Sequence, residues 1–514
     1  MNIDSFLAHY GLRENPFGAE EARHDPVFER LAEAAAKHPD FPKLMGSLER
    51  PTASVAFGEK GSGKTAMRLQ LGREFLAHNQ NNPDERVFLV PYDDFNPLLD
   101  DLMKRTGQDA NSVLDRIRLE EHQDWILSEA VTRLCGTMLG EPPSTGEPVL
   151  LPDSVKKKIS AMPRQSRVDL AILAALYDQP REGTLLKRWR KVRSTLQVGP
   201  RATLGVVRYL ALILTVVAVA LGGAAWQNGW EPTWLAAAAG GSALAAVLGL
   251  GWWFTRSFKL RRLAKKITQE MPGVRRSPRD LREMLKSFNA KDLAHQPFPM
   301  QGGGKDSRYQ LTRRFLNGVG HLGYRGMVVL LDRVDEPSHI RGDSEKAQKL
   351  VWPILDNTFL QQEGVGIKML MPMELRHAIH RESPAFFQRA RLDKQHMIDR
   401  LTWSGTTLYD LCTQRLQACR PTESEPLSLT DLFASDVTRA EVIEALDHMQ
   451  QPRDVFKFLY SVIQEHCRLV PEPEPTDGHE ETEASFRIAK LTLENVRRAQ
   501  SQRVQELSRG LAPA

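Results

Sequence analysis

A glycine-rich loop early in the chain has the residue types and the spacing that bind phosphate. Residues 58–65 read GEKGSGKT and match the pattern GxxxxGK[ST] at every fixed position. Glycines let such a loop fold back, so that its N–H groups and the next helix N-terminus point at a β-phosphate. Lys64 is expected to reach the β- and γ-phosphate oxygens, and the Thr65 hydroxyl to bind Mg²⁺. An ordinary glycine turn is the alternative. The residues predicted to hold ATP are Gly58, Glu59, Lys60, Gly61, Ser62, Gly63, Lys64, Thr65 and Ala66.

An acidic run after a later apolar stretch supplies the carboxylates that hydrolysis of a nucleoside triphosphate needs. Residues 326–331 read GMVVLL and are followed by DRVDE at positions 332–336. Asp332, at the strand end, is the predicted ligand on the metal side. Glu336 is the predicted base that orients the attacking water, with Asp335 as the alternative. A different interpretation is that Asp335 and Glu336 only cap a helix that starts at Pro337.

One arginine near the end of the chain completes the set of predicted catalytic residues, which otherwise contains Lys64, Glu336 and Asp335. Arg453 follows Pro452 at the start of an amphipathic helical pattern. A guanidinium held there suits a γ-phosphate, because it is planar and permanently charged. An ordinary surface arginine is the alternative for Arg453.

The elements that must position these residues indicate an α/β fold. A short apolar strand at 53–57 leads into the loop, and a helical pattern follows from 66 to 78. A second strand at 86–91 makes the opening unit βαβ, which implies a parallel sheet. A further strand is predicted at 365–371, and residues 404–467 read as a small helical lid. The predicted class is therefore a parallel-sheet P-loop NTPase core with a C-terminal helical lid.

Two apolar runs lie between the glycine loop and the acidic strand. They cover residues 204–226 and 234–254, and each is long enough to cross a hydrocarbon core of about 30 Å as a helix. The tryptophans lie at the ends of the runs, as in an aromatic belt; they are Trp226, Trp230, Trp234, Trp252 and Trp253. A transmembrane helical hairpin inserted in the core is predicted. A helical hairpin buried in a soluble core is the alternative.

Basic segments flank the two apolar runs on their outer sides. Residues 187–201 and 256–266 are rich in Lys and Arg, whereas the connection 227–233 contains neither. The positive-inside rule then places both termini and the ATPase domain in the cytoplasm, in a multi-pass protein. Anionic lipids are the expected partners of these flanks, and nucleic acid is a less favoured one.

Composition and cysteine spacing give little support to several other classes of protein. The four cysteines, among 514 residues, have no spacing typical of a zinc site or a disulfide framework. A formal net charge of +5 is weak evidence for nucleic-acid binding. The predicted units are an N-terminal helical segment (1–50), the first core part (51–180), the hairpin with its flanks (181–270), the second core part (271–400), the lid (401–470), and an acidic linker with a final helix (471–514).

These motifs resemble the KAP family of P-loop ATPases, whose hallmark is two transmembrane helices inserted between the phosphate loop and the acidic strand. The likeness covers most of residues 50–465. The order Asp332-Arg333-Val334-Asp335-Glu336 departs from the usual acidic run of that family and is more similar to NACHT ATPases. This departure leaves the base open between Glu336 and Asp335.

Two further segments resemble origin-recognition and secretion ATPases of the same superfamily. They are residues 10–17, which in such relatives often lie against the adenine, and Pro452-Arg453. The resemblance implies an additive-strand ATPase, homo-oligomers and a bacterial inner (cytoplasmic) membrane. The function it favours is an ATP-dependent regulatory or signalling switch, with bacterial defence as one such role, acting on an unknown effector protein. The alternatives are a membrane-tethered DNA-binding loader and an envelope- or secretion-associated ATPase.

Overall fold

The fold is taken from a computed structural model. It describes residues 1–19, 21–31, 37–142, 146–180, 184–199, 203–227, 229–230, 233–299, 306–421, 423–471 and 479–508. Parts of the predicted hairpin connection and of the acidic linker lie outside these ranges.

A five-stranded parallel sheet forms the centre of the molecule. Its strands are β1 (Ser54–Gly58), β2 (Arg86–Tyr92), β3 (Tyr324–Leu331), β4 (Val365–Pro372) and β5 (His396–Ile398). The order across the sheet is β2-β3-β4-β1-β5, and every neighbouring pair is parallel. The predicted α/β class with a parallel sheet is thus confirmed. The strands β1 and β2 are not neighbours, because β4 and β3 lie between them.

Helices cover the sheet, form the hairpin and build a separate C-terminal layer. Before the hairpin the helices are α1 (Ile3–His9), α2 (Pro26–Arg30), α3 (Phe41–Met45), α4 (Lys64–Asn81), α5 (Asn96–Thr106), α6 (Ala110–Arg116), α7 (Leu119–Met138), α8 (Val155–Ala161), α9 (Arg164–Tyr177) and α10 (Leu185–Thr195). The hairpin consists of α11 (Thr203–Gln227) and α12 (Thr233–Glu270). After it follow α13 (Pro278–Leu285), α14 (Ala290–Ala294), α15 (Asp306–Gly320), α16 (Ser344–Val351), α17 (Asn357–Leu360), α18 (Met373–His380), α19 (Pro384–Ala390), α20 (Gly405–Ala418), α21 (Arg439–Asp447), α22 (Pro452–Leu469), α23 (His479–Phe486) and α24 (Lys490–Ser508).

Alternate side chains of each strand enter two cores, one on each face of the sheet. On one face Ala56, Val328 and Leu370 pack with Leu71 and Phe75 of α4. The other face packs against α7, α9 and α15 in the largest core of the molecule. Helices on both faces leave the strands without a solvated side, which explains their continuous apolar runs.

A third core joins the two ends of the chain. Phe6 and Phe17, from the N-terminal segment, pack with residues of α20, α21, α22 and α24. We call this assembly the helical unit; it consists of the described residues within 1–30 and 405–508. The predicted N-terminal segment and lid therefore share one interior in the structure.

The hairpin helices present apolar side chains to their surroundings. Val216, Val219, Trp226 and Trp234 are between 63% and 73% exposed. Both helices are long and apolar enough to cross a membrane. At Gly249 an added Cβ would lie 3.1 Å from the Ala211 Cβ, so a small residue is needed where the two helices meet. The pattern differs from that of a helical hairpin buried in a soluble core.

The second hairpin helix does not end with its apolar run. Helix α12 has 38 residues and is about 57 Å long, so it continues well beyond a hydrocarbon core of about 30 Å. Its last part packs into the core of the sheet through Leu260, Ala264 and Ile267. The basic segment after the apolar run is therefore one rigid continuation of the hairpin.

One basic residue of the flanks is used inside the protein. Arg188, on α10, is only 8% exposed, and its guanidinium pairs with Asp178 at 2.8 Å and also with Glu141. A paired and buried guanidinium is not available to a lipid headgroup. The expected lipid contact of the first flank therefore excludes Arg188.

One lysine is buried in the sheet, and burial is what shifts its pKa. Lys368, on β4, is 1% exposed, and its Nζ lies 3.4 Å from the Thr52 hydroxyl. Burial lowers the pKa of this amine to about 7 from an ordinary value of 10.5. Between these two pH values the unfolded chain binds more protons than the folded one, so lower pH favours unfolding.

We expect Lys368→Met to stabilise the protein in a pH-dependent way. At pH 10.5 the free energy of unfolding should change little, whereas at pH 7 it should rise by on the order of 2–4 kcal/mol, because no buried amine has to lose its proton. Denaturant titrations at the two pH values measure this difference, with Lys104→Met as the control for an exposed lysine. An equal gain at both pH values would contradict the buried-amine explanation.

Candidate functional site

The glycine loop lies between the carboxyl end of β1 and the first turn of α4. Gly61 and Gly63 have φ of 96° and 89°, which are left-handed conformations that favour glycine. At Gly58 an added Cβ would lie 2.2 Å from the Ser62 Oγ. Side chains at these positions would thus strain or block the loop. Helix α4 then begins at Lys64, so its N-terminus opens directly onto the loop.

Lys64 is folded back over the loop. Its Nζ donates hydrogen bonds to the carbonyl oxygens of Gly58, at 2.8 Å, and Glu59, at 2.9 Å. Burial lowers the pKa of its ammonium group, and the carboxylates of Asp335 and Asp332 oppose that shift. The cation is therefore held at the centre of the loop, facing the acidic residues that follow β3.

Thr65 and Asp332 are in direct contact, although they are far apart in sequence. The Thr65 hydroxyl donates a hydrogen bond to Asp332 Oδ2 at 2.9 Å. Asp332 is 1% exposed, and burial raises the pKa of its carboxyl, against the effects of the Thr65 hydrogen bond and of Arg68. Two hard oxygen atoms thus lie side by side next to the loop, which is the type of ligand that Mg²⁺ prefers.

The two candidates for the base differ in their surroundings. Glu336 is exposed and forms an ion pair with Arg333, whose φ of 61° is left-handed. Asp335 is half-buried, and of the four carboxylates that act on Lys64 it has the largest effect on the pKa. In this structure Asp335 thus acts more strongly than Glu336 on the Lys64 ammonium, and Glu336 is paired with Arg333.

Further charged residues stand at the same edge of the sheet and were not predicted. Glu374 follows β4 and also raises the pKa of Lys64. Asp93 follows β2 and pairs with Arg68 of α4 at 2.6 Å and with Arg23. All parallel strands end at one edge, so the first charged residue after each strand was a signal in the sequence that could have identified Glu374 and Asp93.

The segment that joins the sheet to the helical unit, together with the start of α22, contacts the loop. The Trp403 indole donates to the Ser62 carbonyl at 2.9 Å. Glu59 accepts a hydrogen bond from Gln451 at 2.5 Å and pairs with Arg400 at 2.6 Å. The predicted residues Glu59 and Ser62 are thus held from outside the loop, whereas Lys60 is exposed and Ala66 lies half-buried in the first turn of α4.

Arg453 lies next to the loop, as its predicted role requires. Its backbone N–H points at the Gly61 carbonyl at 3.4 Å, and an added Cβ on Gly61 would lie 3.0 Å from the Arg453 Cβ. Pro452 occupies the first turn of α22, where a missing N–H has no cost. The helix therefore begins against the loop and brings the stem of Arg453 with it.

Residues 10–17 pack within the helical unit. Phe17 is buried and stacks on Phe456 at a ring-centroid distance of 6.1 Å. Arg415 donates to the Pro16 carbonyl at 2.7 Å, and the Arg13 N–H to the Cys419 carbonyl at 2.9 Å. The position of this segment is thus set by α20 and α22.

Comparisons with known proteins give no relative for this chain. No protein-family model matches it, and neither a curated protein nor a solved structure does. Across the described ranges, no group of three or more His, Cys, Asp and Glu side chains is placed to hold a metal ion.

Proposed function

We propose that this protein is a membrane-anchored P-loop ATPase that works as an ATP-dependent regulatory switch. The observation that carries the proposal is the hydrogen bond of 2.9 Å between Thr65 and Asp332, beside a loop that holds the Lys64 ammonium. Chain segments far apart in sequence meet there, each with the residue type that Mg²⁺ and nucleotide phosphates require.

The residues present suit ATP with Mg²⁺. Mg²⁺ in nucleotide sites usually keeps several waters and takes one or two protein oxygens in addition to phosphate oxygens, so a three-residue metal cluster is not required. Thr65 and Asp332 supply those oxygens. The Ser62 Oγ is buried and has no hydrogen-bond partner within the described part of the chain, which leaves a donor inside the loop. When bound, Mg²⁺ would neutralise charge on the phosphates.

The sheet order supports the same proposal. Strand β4 lies between β1, which leads into the loop, and β3, which ends at Asp332. An additional strand at this place is what the resemblance to additive-strand ATPases implies. The helices α11 and α12 also lie between these two motifs along the chain, as the resemblance to the KAP family implies.

Each site residue has a task that its position allows. Lys64 and the N–H groups of residues 58–65 bind and orient the β- and γ-phosphates, and Asp332 keeps Thr65 aligned. Asp335 or Glu336 would accept the proton of the attacking water. Arg453 would place a guanidinium near the γ-phosphate when the start of α22 approaches it.

The hairpin is the proposed anchor. Its helices have the length and apolar character of membrane spans, and Arg208 and Arg256 stack on Trp253 and Trp252 at one end of it. This end carries the basic flanks, so we place it on the cytoplasmic side of a bacterial inner membrane, next to anionic lipids. Homo-oligomers and an effector protein are the proposed partners of the switch.

We expect Lys64→Ala to abolish ATP hydrolysis in the full chain reconstituted in nanodiscs. Removal of a cation that stabilises the transferred phosphoryl group should lower turnover by about 100-fold or more. Phosphate release measures the turnover, and Lys104→Ala, at an exposed lysine outside the loop, serves as the control. Equal turnover in wild type and Lys64→Ala would refute the enzyme proposal.

Asp335→Asn and Glu336→Gln distinguish the two candidates for the base. Because Asp335 is less exposed than Glu336 and has the larger effect on the pKa of Lys64, we expect Asp335→Asn to slow hydrolysis by on the order of 100-fold while ATP still binds. Glu336→Gln removes an exposed ion pair with Arg333 and should cost much less. Titration of ATP and single-turnover rates measure both steps; a slow, ATP-bound Glu336→Gln with a normal Asp335→Asn would reverse the assignment.

The orientation of the hairpin predicts which thiols react from outside the cell. The four native cysteines are buried, so an introduced cysteine can be followed alone. In intact spheroplasts, Gln227→Cys should react with an impermeant maleimide, and Ser194→Cys only after permeabilisation. Labelling of Ser194→Cys in intact cells would invert the topology, and recovery of the chain in the soluble fraction would exclude the anchor.

A further inference from the structure

Helix α5 touches the acidic loop at one end and the end of the membrane hairpin at the other. The acidic loop is residues 333–343, which follow Asp332 and carry Asp335 and Glu336. With 11 residues, α5 is about 16 Å long. It begins four residues after β2, at the edge of the sheet where the glycine loop lies.

The N-terminal end of α5 holds the acidic loop. Asn96 Oδ1 accepts hydrogen bonds from the Ser338 N–H, at 2.8 Å, and from the Ser338 hydroxyl, at 3.0 Å. One turn further, Asp100 contacts His339 Nε2 at 3.0 Å. Ser338 lies two residues after Glu336, so these contacts determine where the loop leaves the site.

The C-terminal end of α5 holds the turn 271–276, which comes directly after α12. Arg105 donates to the carbonyls of Met271, at 3.1 Å, and Arg276, at 2.8 Å. Asp101, which is 4% exposed, accepts from Arg275 Nε at 2.7 Å. Two charged side chains of α5 thus bind the turn that follows α12.

The turn also packs closely against α5. At Gly273, in the middle of the turn, an added Cβ would lie 3.1 Å from Leu98 Cδ1, so the turn lies directly on α5. The last residue of α12 is held from another side, because Arg308 of α15 donates to the Glu270 carbonyl at 2.6 Å. A displacement of α5 would therefore either move the turn after α12 or break these contacts.

We infer that α5 couples the acidic loop to the membrane hairpin, so that ATP binding displaces the cytosolic part of α12 and a displaced hairpin changes the site. This inference rests on the proposed function and gives it a mechanism of regulation. Coupling of this kind is reciprocal, because each site biases the same element. Asn96 is a positioning residue in it, since it acts through Ser338.

Distances between two spin labels test the inference on the full chain in nanodiscs. One label is placed at Lys259, on the exposed side of α12, and the other at Glu363, an exposed residue just before β4. Distances are measured by pulsed electron paramagnetic resonance with and without Mg²⁺ and the non-hydrolysable analogue AMP-PNP. Binding of the analogue is titrated on the same samples.

We expect AMP-PNP to shift the distance by about 1–2 Å or more in the wild type, the scale of helix shifts in switching proteins. Arg105→Gln and Asn96→Ala should bind the analogue as the wild type does but lose the shift. Lys104→Gln also replaces a basic residue by Gln, at the exposed position before Arg105. It is the matched control and should keep the shift in distance.

The outcomes separate the coupling from the proposed function. Equal shifts in the wild type, Arg105→Gln and Asn96→Ala would overturn the role of α5. The absence of a shift in a wild type that binds the analogue would overturn the coupling altogether. Absence of binding in the wild type would instead refute the nucleotide site, and the coupling with it.

Discussion

The hydrogen bond between Thr65 and Asp332 is the contact on which the site depends. It joins the first turn of α4 to the end of β3 at 2.9 Å, across a sequence separation of 267 residues. Asp332 is buried and its pKa is raised, so its carboxyl requires polar partners in this place. Because β4 alone separates β1 from β3, the sheet brings the glycine loop and the acidic loop together however long the chain between them is.

That tolerance explains how a long apolar helical hairpin can be accommodated inside a folded core. The hairpin follows α10 along the chain. Its second helix, α12, extends back into the main core, where Leu260, Ala264 and Ile267 are buried. A single helix of 38 residues thus belongs both to the hairpin and to the core of the sheet. A continuous helix transmits a displacement from the hairpin to the core, whereas a flexible linker would not.

The features encoded by local pattern were predictable from the sequence. The glycine loop, the strands β1 to β4 and the two apolar helices each have a signature within one stretch of residues. The contacts of Glu59 with Arg400 and Gln451 were not predictable, because they depend on how the helical unit packs. The strand order and the burial of Arg188 against Asp178 were not predictable either, because both depend on tertiary packing. Asp335 and Glu336 are adjacent in sequence, and the ion pair of Glu336 with the left-handed Arg333, which separates their surroundings, is visible in the structure alone.

A structure of the full chain in nanodiscs with Mg²⁺ and AMP-PNP would show whether the glycine loop is a nucleotide site. We expect the β-phosphate within hydrogen-bonding distance of Lys64 Nζ and of the N–H groups of residues 58–65. We expect the metal beside the Thr65 hydroxyl, on the side of Asp332. An analogue bound elsewhere at saturation, with the Thr65–Asp332 contact and the glycine loop unchanged, would refute the nucleotide site.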